Sequence, residues 1–189
     1  MIIGVDFDNV LFPSMETVLD IYNLRHKTHI SIADLTTYRF SDCLESSVAN
    51  ELIGYFNEKV LYDCLWPIKH SINTINTLVG MGHKVLIATA TDSQNLVWKE
   101  ELLAKFFPII PKEDVIKIHK KELLKLDVLI DDCLEHLINS SAEKICFNYP
   151  WNRSDKDYGI YRVDSWDEVV NIINNLERKI TNERHNNFV

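Results

Sequence analysis

Short apolar runs that alternate with helical patterns are the feature that most constrains the fold of this chain. The runs are rich in Ile, Val and Leu, as expected of strands that are buried on both faces of a parallel sheet. They cover residues 2–5, 84–88, 115–118, 128–130, 144–147 and 160–163. The alternation predicts an α/β fold with a doubly wound, Rossmann-like parallel sheet.

A long helical segment separates the first predicted strand from the second. Apolar residues recur there at three- and four-residue spacing, first around Val18 and again around Leu52. We expect residues 13–67 to form a small helical cap that stands over the carboxyl edge of strand 1. Residues 1–12 and 68–180 would then form the catalytic core, and residues 181–189, which are rich in Asn, Arg and Glu, a frayed tail.

Charge and composition exclude several functional classes. The net charge is −8 and the pI is near 5.3, so the surface would repel nucleic acid polymers. Neither a signal peptide nor a run of roughly 20 apolar residues is recognisable, so we expect no membrane association. The four cysteines lack C-x-x-C spacing, which is typical of reduced thiols and disfavours a zinc site. We therefore expect a cytoplasmic protein.

The first predicted strand ends in two acids, Asp6 and Asp8. Ligands of open α/β sheets bind beyond the carboxyl ends of the strands, so both carboxylates would face the functional crevice. Two like charges at one point repel each other unless a cation lies between them, and a hard divalent ion such as Mg²⁺ prefers oxygen ligands. The alternative is that both residues are simple turn formers, as Asp often is after a strand.

Other strand ends carry side chains that suit the same chemistry. Thr89 and Ala90 follow the second strand, Lys121 with Lys120 beside it follows the third, and Asp131-Asp132 follows the fourth. Acids from strands 1 and 4 could share one Mg²⁺. Thr89 and Lys121 could bind the remaining oxygens of a phosphate, and the lysine would offset the acidic charge.

This set of residues can perform phosphoryl transfer. Asp6 is the first candidate for a nucleophile that forms an aspartyl-phosphate. Asp8, two residues later, is placed to protonate the leaving alkoxide and then to deprotonate the attacking water. The metal would orient the phosphoryl group and neutralise developing charge.

The order Asp6-x-Asp8, Thr89, Lys121 and Asp131-Asp132 resembles the haloacid dehalogenase superfamily of phosphohydrolases. The opening Asp-Phe-Asp-Asn-Val-Leu looks most like its 5'(3')-deoxyribonucleotidase branch. Further runs that resemble this branch are Phe-Pro-Ile-Ile-Pro at 107–111, Tyr-Pro-Trp-Asn-Arg at 149–153 and Arg-Val-Asp-Ser-Trp at 162–166. The likeness spans residues 2 to about 173.

The resemblance implies a role for each matching position. Asp6 would be the nucleophile and a metal ligand, and Asp8 the acid/base, with its backbone carbonyl on the metal. Asp131 and Asp132 would hold Mg²⁺ directly or through water. The cap would select the substrate, where aromatic residues could stack on a base, although aromatics at helical spacing also pack in cores. These residues are Phe12, Tyr38, Phe40 and Trp66.

The resemblance thus implies a Mg²⁺-dependent phosphomonoesterase that acts on nucleoside monophosphates, deoxyribonucleotides by preference. One alternative keeps the chemistry and changes the substrate to another small phosphoester. A second is a receiver-like signalling domain, although its phosphorylated Asp would lie on a middle strand. A homodimer is compatible with the sequence.

Overall fold

This computed structural model describes residues 1–154 and 156–186. Its centre is a six-stranded sheet in which every neighbouring pair of strands is parallel, in the order β3-β2-β1-β4-β5-β6. The strands are β1 (Ile2–Val5), β2 (Lys84–Thr89), β3 (Val115–Lys117), β4 (Val128–Asp131), β5 (Glu143–Phe147) and β6 (Ile160–Val163). The predicted doubly wound α/β fold is confirmed, with strand limits within one residue of those expected.

Seven α-helices accompany the sheet in the described part of the chain. They are α1 (Ser14–His26), α2 (Ser46–Gly54), α3 (Lys59–Cys64), α4 (Ser71–Gly80), α5 (Ser93–Phe106), α6 (Leu134–Asn139) and α7 (Trp166–Asn186). The first three lie between β1 and α4, where the sequence predicts a helical segment. Helix α7 continues past residue 181, where we expected the chain to fray, and residues 187–189 lie outside the described residues. None of the helices that could be assessed is long and apolar enough to cross a membrane.

Strand β1 occupies the middle of the sheet, between β2 and β4. Ile3 and Val5 are fully buried, which explains why β-branched residues occupy these two positions. Gly4 lies between them, and a Cβ atom at this position would lie 2.4 Å from Leu126 Cδ1, so a larger residue would require the Leu126 side chain to move. The first strand is therefore fixed on both faces and at both edges, and it carries the residues that follow it to the centre of the carboxyl edge.

The turn after β1 is anchored to distant elements. The indole Nε1 of Trp166, at the start of α7, donates to the carbonyl of Val10 over 2.8 Å. Within the turn, Asn9 adopts a left-handed conformation with φ 57°, which asparagine tolerates better than most residues. The turn thus has one defined shape, which sets the directions of Asp6 and Asp8.

Candidate active site

Three buried carboxylates meet at the carboxyl ends of β1 and β4. Asp6 follows β1, Asp131 ends β4 and Asp132 follows it. One ligand oxygen from each lies within 4.8 Å of the others, and the residues are 7%, 0% and 4% exposed. Neighbouring parallel strands end at the same sheet edge, so two sequence-distant acidic segments converge there.

Lys121 is inserted between two of these acids. Its ammonium lies 2.9 Å from Asp6 Oδ1 and 2.7 Å from Asp131 Oδ2, and the residue is fully buried. A lysine is almost never buried completely unless it is paired. Lys120, its neighbour in the sequence, is exposed. The structure therefore places Lys121, and not Lys120, within the acid cluster.

The cluster is electrostatically unbalanced without a cation. Burial, followed by the charges of Asp131 and Asp8, raises the pKa of Asp6 to about 6 in spite of Lys121. Burial and the charges of Asp131 and Asp6 likewise raise the pKa of Asp132 well above its usual value. Because both shifts come from removing negative charge from water beside other negative charge, a bound cation would relieve them.

The two adjacent acids have different surroundings. Burial alone would raise the pKa of Asp131, but Lys121 and His136 together hold it at about 2. Its oxygens already accept from the Cys133 amide, from Lys121 and from His136 Nδ1 at 2.8, 2.7 and 3.1 Å.

Within the part of the chain that the structure describes, the Asp132 side chain instead accepts only from neutral side chains. Asn9 Nδ2 and Trp151 Nε1 both donate to its Oδ2 atom over 3.1 Å. Asp132 therefore has more unneutralised negative charge than Asp131.

Asp8 is held by a residue that sequence reasoning missed. Lys99, on α5, donates to Asp8 Oδ2 over 2.5 Å and to Thr89 Oγ1 over 2.9 Å, and it is 1% exposed. Ser14 Oγ donates to the other Asp8 oxygen over 2.6 Å. The side chain of Asp8 is thus fixed beside the acid cluster but outside its three-carboxylate group.

A signal for Lys99 was present in the sequence. Asn95 and Lys99 are spaced by four residues and continue the face of α5 that buries Leu102 and Leu103. Polar residues at core spacing on an amphipathic helix mark positions where tertiary partners must satisfy them. His136 was also missed, because the short helix α6 that carries it was not predicted.

Asn9 joins the turn after β1 to two other elements. Its Oδ1 accepts from the backbone amide of Met15 in α1 over 2.9 Å, while its Nδ2 donates to Asp132. Asn9 therefore both braces the turn and contacts the acid cluster.

A cleft of about 640 Å³ opens beside the acids, between the sheet edge and the segment that carries α1 to α3. Asp6, Asp8 and Asp132 line it, as does Ala90. Thr89, Lys121 and Asp131 are fully buried beneath this surface and support the residues that line it. The hydroxyl of Thr89 is buried and accepts from Lys99, so the expected contact between Thr89 and a phosphate would require this residue to become accessible.

The four aromatic residues expected to contact a base separate into two pairs. Tyr38 and Phe40 line the cleft. Phe12 is instead fully buried, stacked on Phe7 with ring centroids 4.5 Å apart, so it cannot reach a base. Trp66 is 67% exposed and packs on Phe106, at a centroid distance of 5.3 Å, outside the cleft. Core packing therefore contradicts the expectation for Phe12, whereas the base contact expected of Trp66 stays a prediction that its position outside the cleft does not support.

Solved structures with the same fold belong to the haloacid dehalogenase superfamily. A HAD family hydrolase from Deinococcus radiodurans, crystallised with phosphate and sodium, aligns with a TM-score of 0.64 at 14% identity, over 93% of this chain and 95% of that one. A haloacid dehalogenase-like protein from Agrobacterium tumefaciens aligns with a TM-score of 0.59 at 12% identity, over 93% and 98% of the two chains. At such identities the likeness establishes the fold.

Sequence comparison is more specific. The chain is 25% identical over 169 residues to a 5'(3')-deoxyribonucleotidase of Bacillus subtilis, which covers 89% of this chain and 95% of the relative. It is 22% identical over 175 residues to a 5'(3')-deoxyribonucleotidase of Clostridium acetobutylicum, which covers 93% and 96%. A family model described as "5' nucleotidase, deoxy (Pyrimidine), cytosolic type C protein" matches residues 1–180. The expected superfamily and its nucleotidase branch are confirmed, and the chain belongs to this deoxy 5' nucleotidase family of hydrolases.

Proposed function

We propose that this protein is a Mg²⁺-dependent phosphomonoesterase that hydrolyses deoxyribonucleoside monophosphates. The observation that carries the proposal is the group of buried carboxylates Asp6, Asp131 and Asp132, which shares a sheet edge with Lys121 and borders a cleft. The names of the relatives support a nucleotide as the substrate.

The residues at the cluster fit a hard divalent cation. All the candidate ligand atoms are carboxylate oxygens, which Mg²⁺ prefers over nitrogen and sulfur. Asp6 and Asp132 would hold the ion directly, because both border the cleft and both are destabilised as anions. The oxygens of Asp131 are already used by Lys121, His136 and a backbone amide. When bound, the ion supplies charge neutralisation for the phosphoryl oxygens.

In the first step, an Asp6 oxygen would attack phosphorus and the bond from phosphorus to the leaving oxygen would break. Asp8 would give its proton to that oxygen and release the nucleoside. In the second step, Asp8 would take a proton from a water molecule, whose oxygen attacks the aspartyl-phosphate and frees Asp6 and inorganic phosphate. Lys99 holds Asp8 in this structure, so the acid step requires Asp8 to exchange that bond for the leaving oxygen.

We also propose that residues 13–67 act as a cap that selects the substrate, with residues 1–12 and 68–180 as the core. The segment contributes a large part of the cleft surface. Its lining residues are Met15, Tyr38, Arg39, Phe40, Ser41, Ala49, Asn50, Ile53, Phe56, Asn57 and Tyr62. A substrate bound at the acids would therefore contact this segment. The homodimer and the cytoplasmic location expected from the sequence stay predictions.

Phosphate release from a panel of 5' and 3' deoxy- and ribonucleoside monophosphates tests the proposal. We expect release that requires Mg²⁺, stops with EDTA, favours deoxyribonucleotides and is absent in Asp6→Asn. Hydrolysis of an aryl phosphate without hydrolysis of any nucleotide would refute the nucleotide as the substrate. The proposed phosphomonoesterase activity would still stand. Stable phosphorylation of Asp6 without turnover would favour the receiver-like alternative, which the family assignment disfavours.

A further inference from the structure

Two asparagine amides meet across the cleft. Asn95, in the first turn of α5, is 5% exposed, and its Nδ2 donates to Asn57 Oδ1 over 2.8 Å. Asn57 belongs to the turn that follows α2, so the bond joins the core to the segment between β1 and α4. Within the described residues, the other two polar atoms of the pair, Asn57 Nδ2 and Asn95 Oδ1, have no hydrogen-bond partner.

These atoms form an edge with one donor and one acceptor. A buried amide with an unused acceptor normally finds a partner, in the protein or in a bound molecule. Both residues line the cleft. Asn95 Oδ1 is not fully enclosed, and Asn57 is an exposed residue. Because both residues line the cleft, a molecule bound there could reach the unused edge.

The pair lies at a defined interval from the catalytic acids. Asn95 precedes Lys99 by four residues on α5, and such residues are neighbours on one helix face, separated by about 6 Å along the axis. Lys99 contacts Asp8. A substrate whose phosphate lies at Asp6 and Asp8 could therefore reach Asn95 by extending its remaining groups along α5.

The walls next to the amide pair suit a flat aromatic ring. Ile53, Phe56 and Phe40 line the cleft from the same segment that carries Asn57. A nucleobase has apolar faces and an edge on which a donor and an acceptor are adjacent. A sugar hydroxyl can also donate and accept, but it has no flat apolar face to lie against these walls. A base therefore matches the two amides and the walls together better.

We infer that Asn57 and Asn95 form an amide pair that recognises the hydrogen-bonding edge of the substrate's nucleobase. This inference rests on the proposed nucleotidase function and assigns the base contacts within it. Since both amides can rotate together by 180°, the edge can present donor and acceptor in either order. The pair would recognise the presence of a base edge more strongly than the identity of the base.

The test compares three substrates that differ only beyond the sugar. They are thymidine 5'-monophosphate, its N3-methyl derivative, whose base edge is blocked, and 2-deoxyribose 5-phosphate, which has no base. We expect Asn57→Ala and Asn95→Ala each to lower kcat/KM for thymidine monophosphate about 10-fold, as lost hydrogen bonds of this type do. The kcat/KM for the base-free substrate should not change, and the preference of the wild type for the unmethylated base should disappear.

A further variant separates base recognition from a purely structural bond. Asn57→Asp keeps the acceptor that Asn95 uses but removes the donor that faces the cleft. We expect it to lose the preference for the unmethylated base, as Asn57→Ala does. Asn73→Ala, an exposed asparagine on α4, serves as the matched control and should behave as the wild type.

Two results would overturn the inference while the nucleotidase function stands. One is an equal loss of kcat/KM for the nucleotide and the base-free substrate in the alanine variants. The other is an unchanged preference for the unmethylated base in all three variants. If the wild type hydrolysed none of the nucleotides, both the function and the base assignment would fail together.

Discussion

Replacing the candidate nucleophile should stabilise the protein when no metal is present. Burial and neighbouring acids raise the pKa of Asp6 from 3.8 to about 6, and this shift already includes the attraction of Lys121. Each pKa unit corresponds to about 1.4 kcal/mol, so the ionised carboxylate costs about 3 kcal/mol of folding free energy above pH 6. Asp6→Asn removes this cost and keeps an oxygen for the Phe7 amide, which donates to Asp6 Oδ1 over 2.7 Å.

The sign of the pH dependence follows from the same shift. A raised pKa means that the contribution of Asp6 to stability is intact below about pH 4 and is lost as the pH rises through 6. The free energy of unfolding should therefore differ little between wild type and Asp6→Asn near pH 4. The difference should grow to about 3 kcal/mol in favour of the variant by pH 7.

Urea denaturation in EDTA at pH 4.5, 5.5 and 7 measures this difference. Asp92→Asn removes an exposed carboxylate from the same cleft and should not reproduce the effect. Added Mg²⁺ should stabilise the wild type more than Asp6→Asn. A variant that is no more stable than the wild type in EDTA at pH 7 would refute the argument that burial and the neighbouring acids destabilise the Asp6 carboxylate.

Three other substitutions test separate parts of the site. Asp8→Asn should lower kcat about 10²- to 10⁴-fold without loss of folding, as expected for a lost acid/base group, and retention of near-normal rates would exclude that role. Lys99→Met removes the donor shared by Asp8 and Thr89 and should lower kcat about 10²- to 10³-fold in the phosphate-release assay. Circular dichroism checks that the variant is folded. Lys121→Met leaves Asp131 without its buried lysine and should destabilise the protein in EDTA by about 3–5 kcal/mol in urea denaturation; an unchanged midpoint would contradict the pairing.

The strands and the acids at their ends were predictable because they obey local rules. A buried parallel strand needs consecutive apolar residues. A polar residue just after the carboxyl end of such a strand lies at the crevice where ligands bind. These rules located Asp6, Asp131 and Asp132 without any knowledge of long-range contacts. They placed Lys121 near the same edge, but its burial between two acids became evident only from the structure.

Contacts made between distant segments were not predictable in the same way. Lys99 lies on an amphipathic helix, where lysine is usually solvated, and only the approach of Asp8 and Thr89 explains its burial. Phe12 and Tyr38 are both aromatic, and both follow the first strand in the sequence. One lies in the core and the other lines the cleft, a difference set by packing that no periodicity encodes.

The central position of β1 has a consequence for the order of events during synthesis. Ile3 pairs with Val85 on one side and with Val128 on the other, so its partners emerge 82 (85 − 3) and 125 (128 − 3) residues later. At roughly 5–20 residues per second, β4, the second neighbour of β1, is synthesised about 6–25 s after it. Lys121, the buried counter-ion of Asp6, is translated just before that neighbour. The nascent chain thus carries its candidate nucleophile through 115 (121 − 6) further residues of synthesis before the charge that fixes it in place is made.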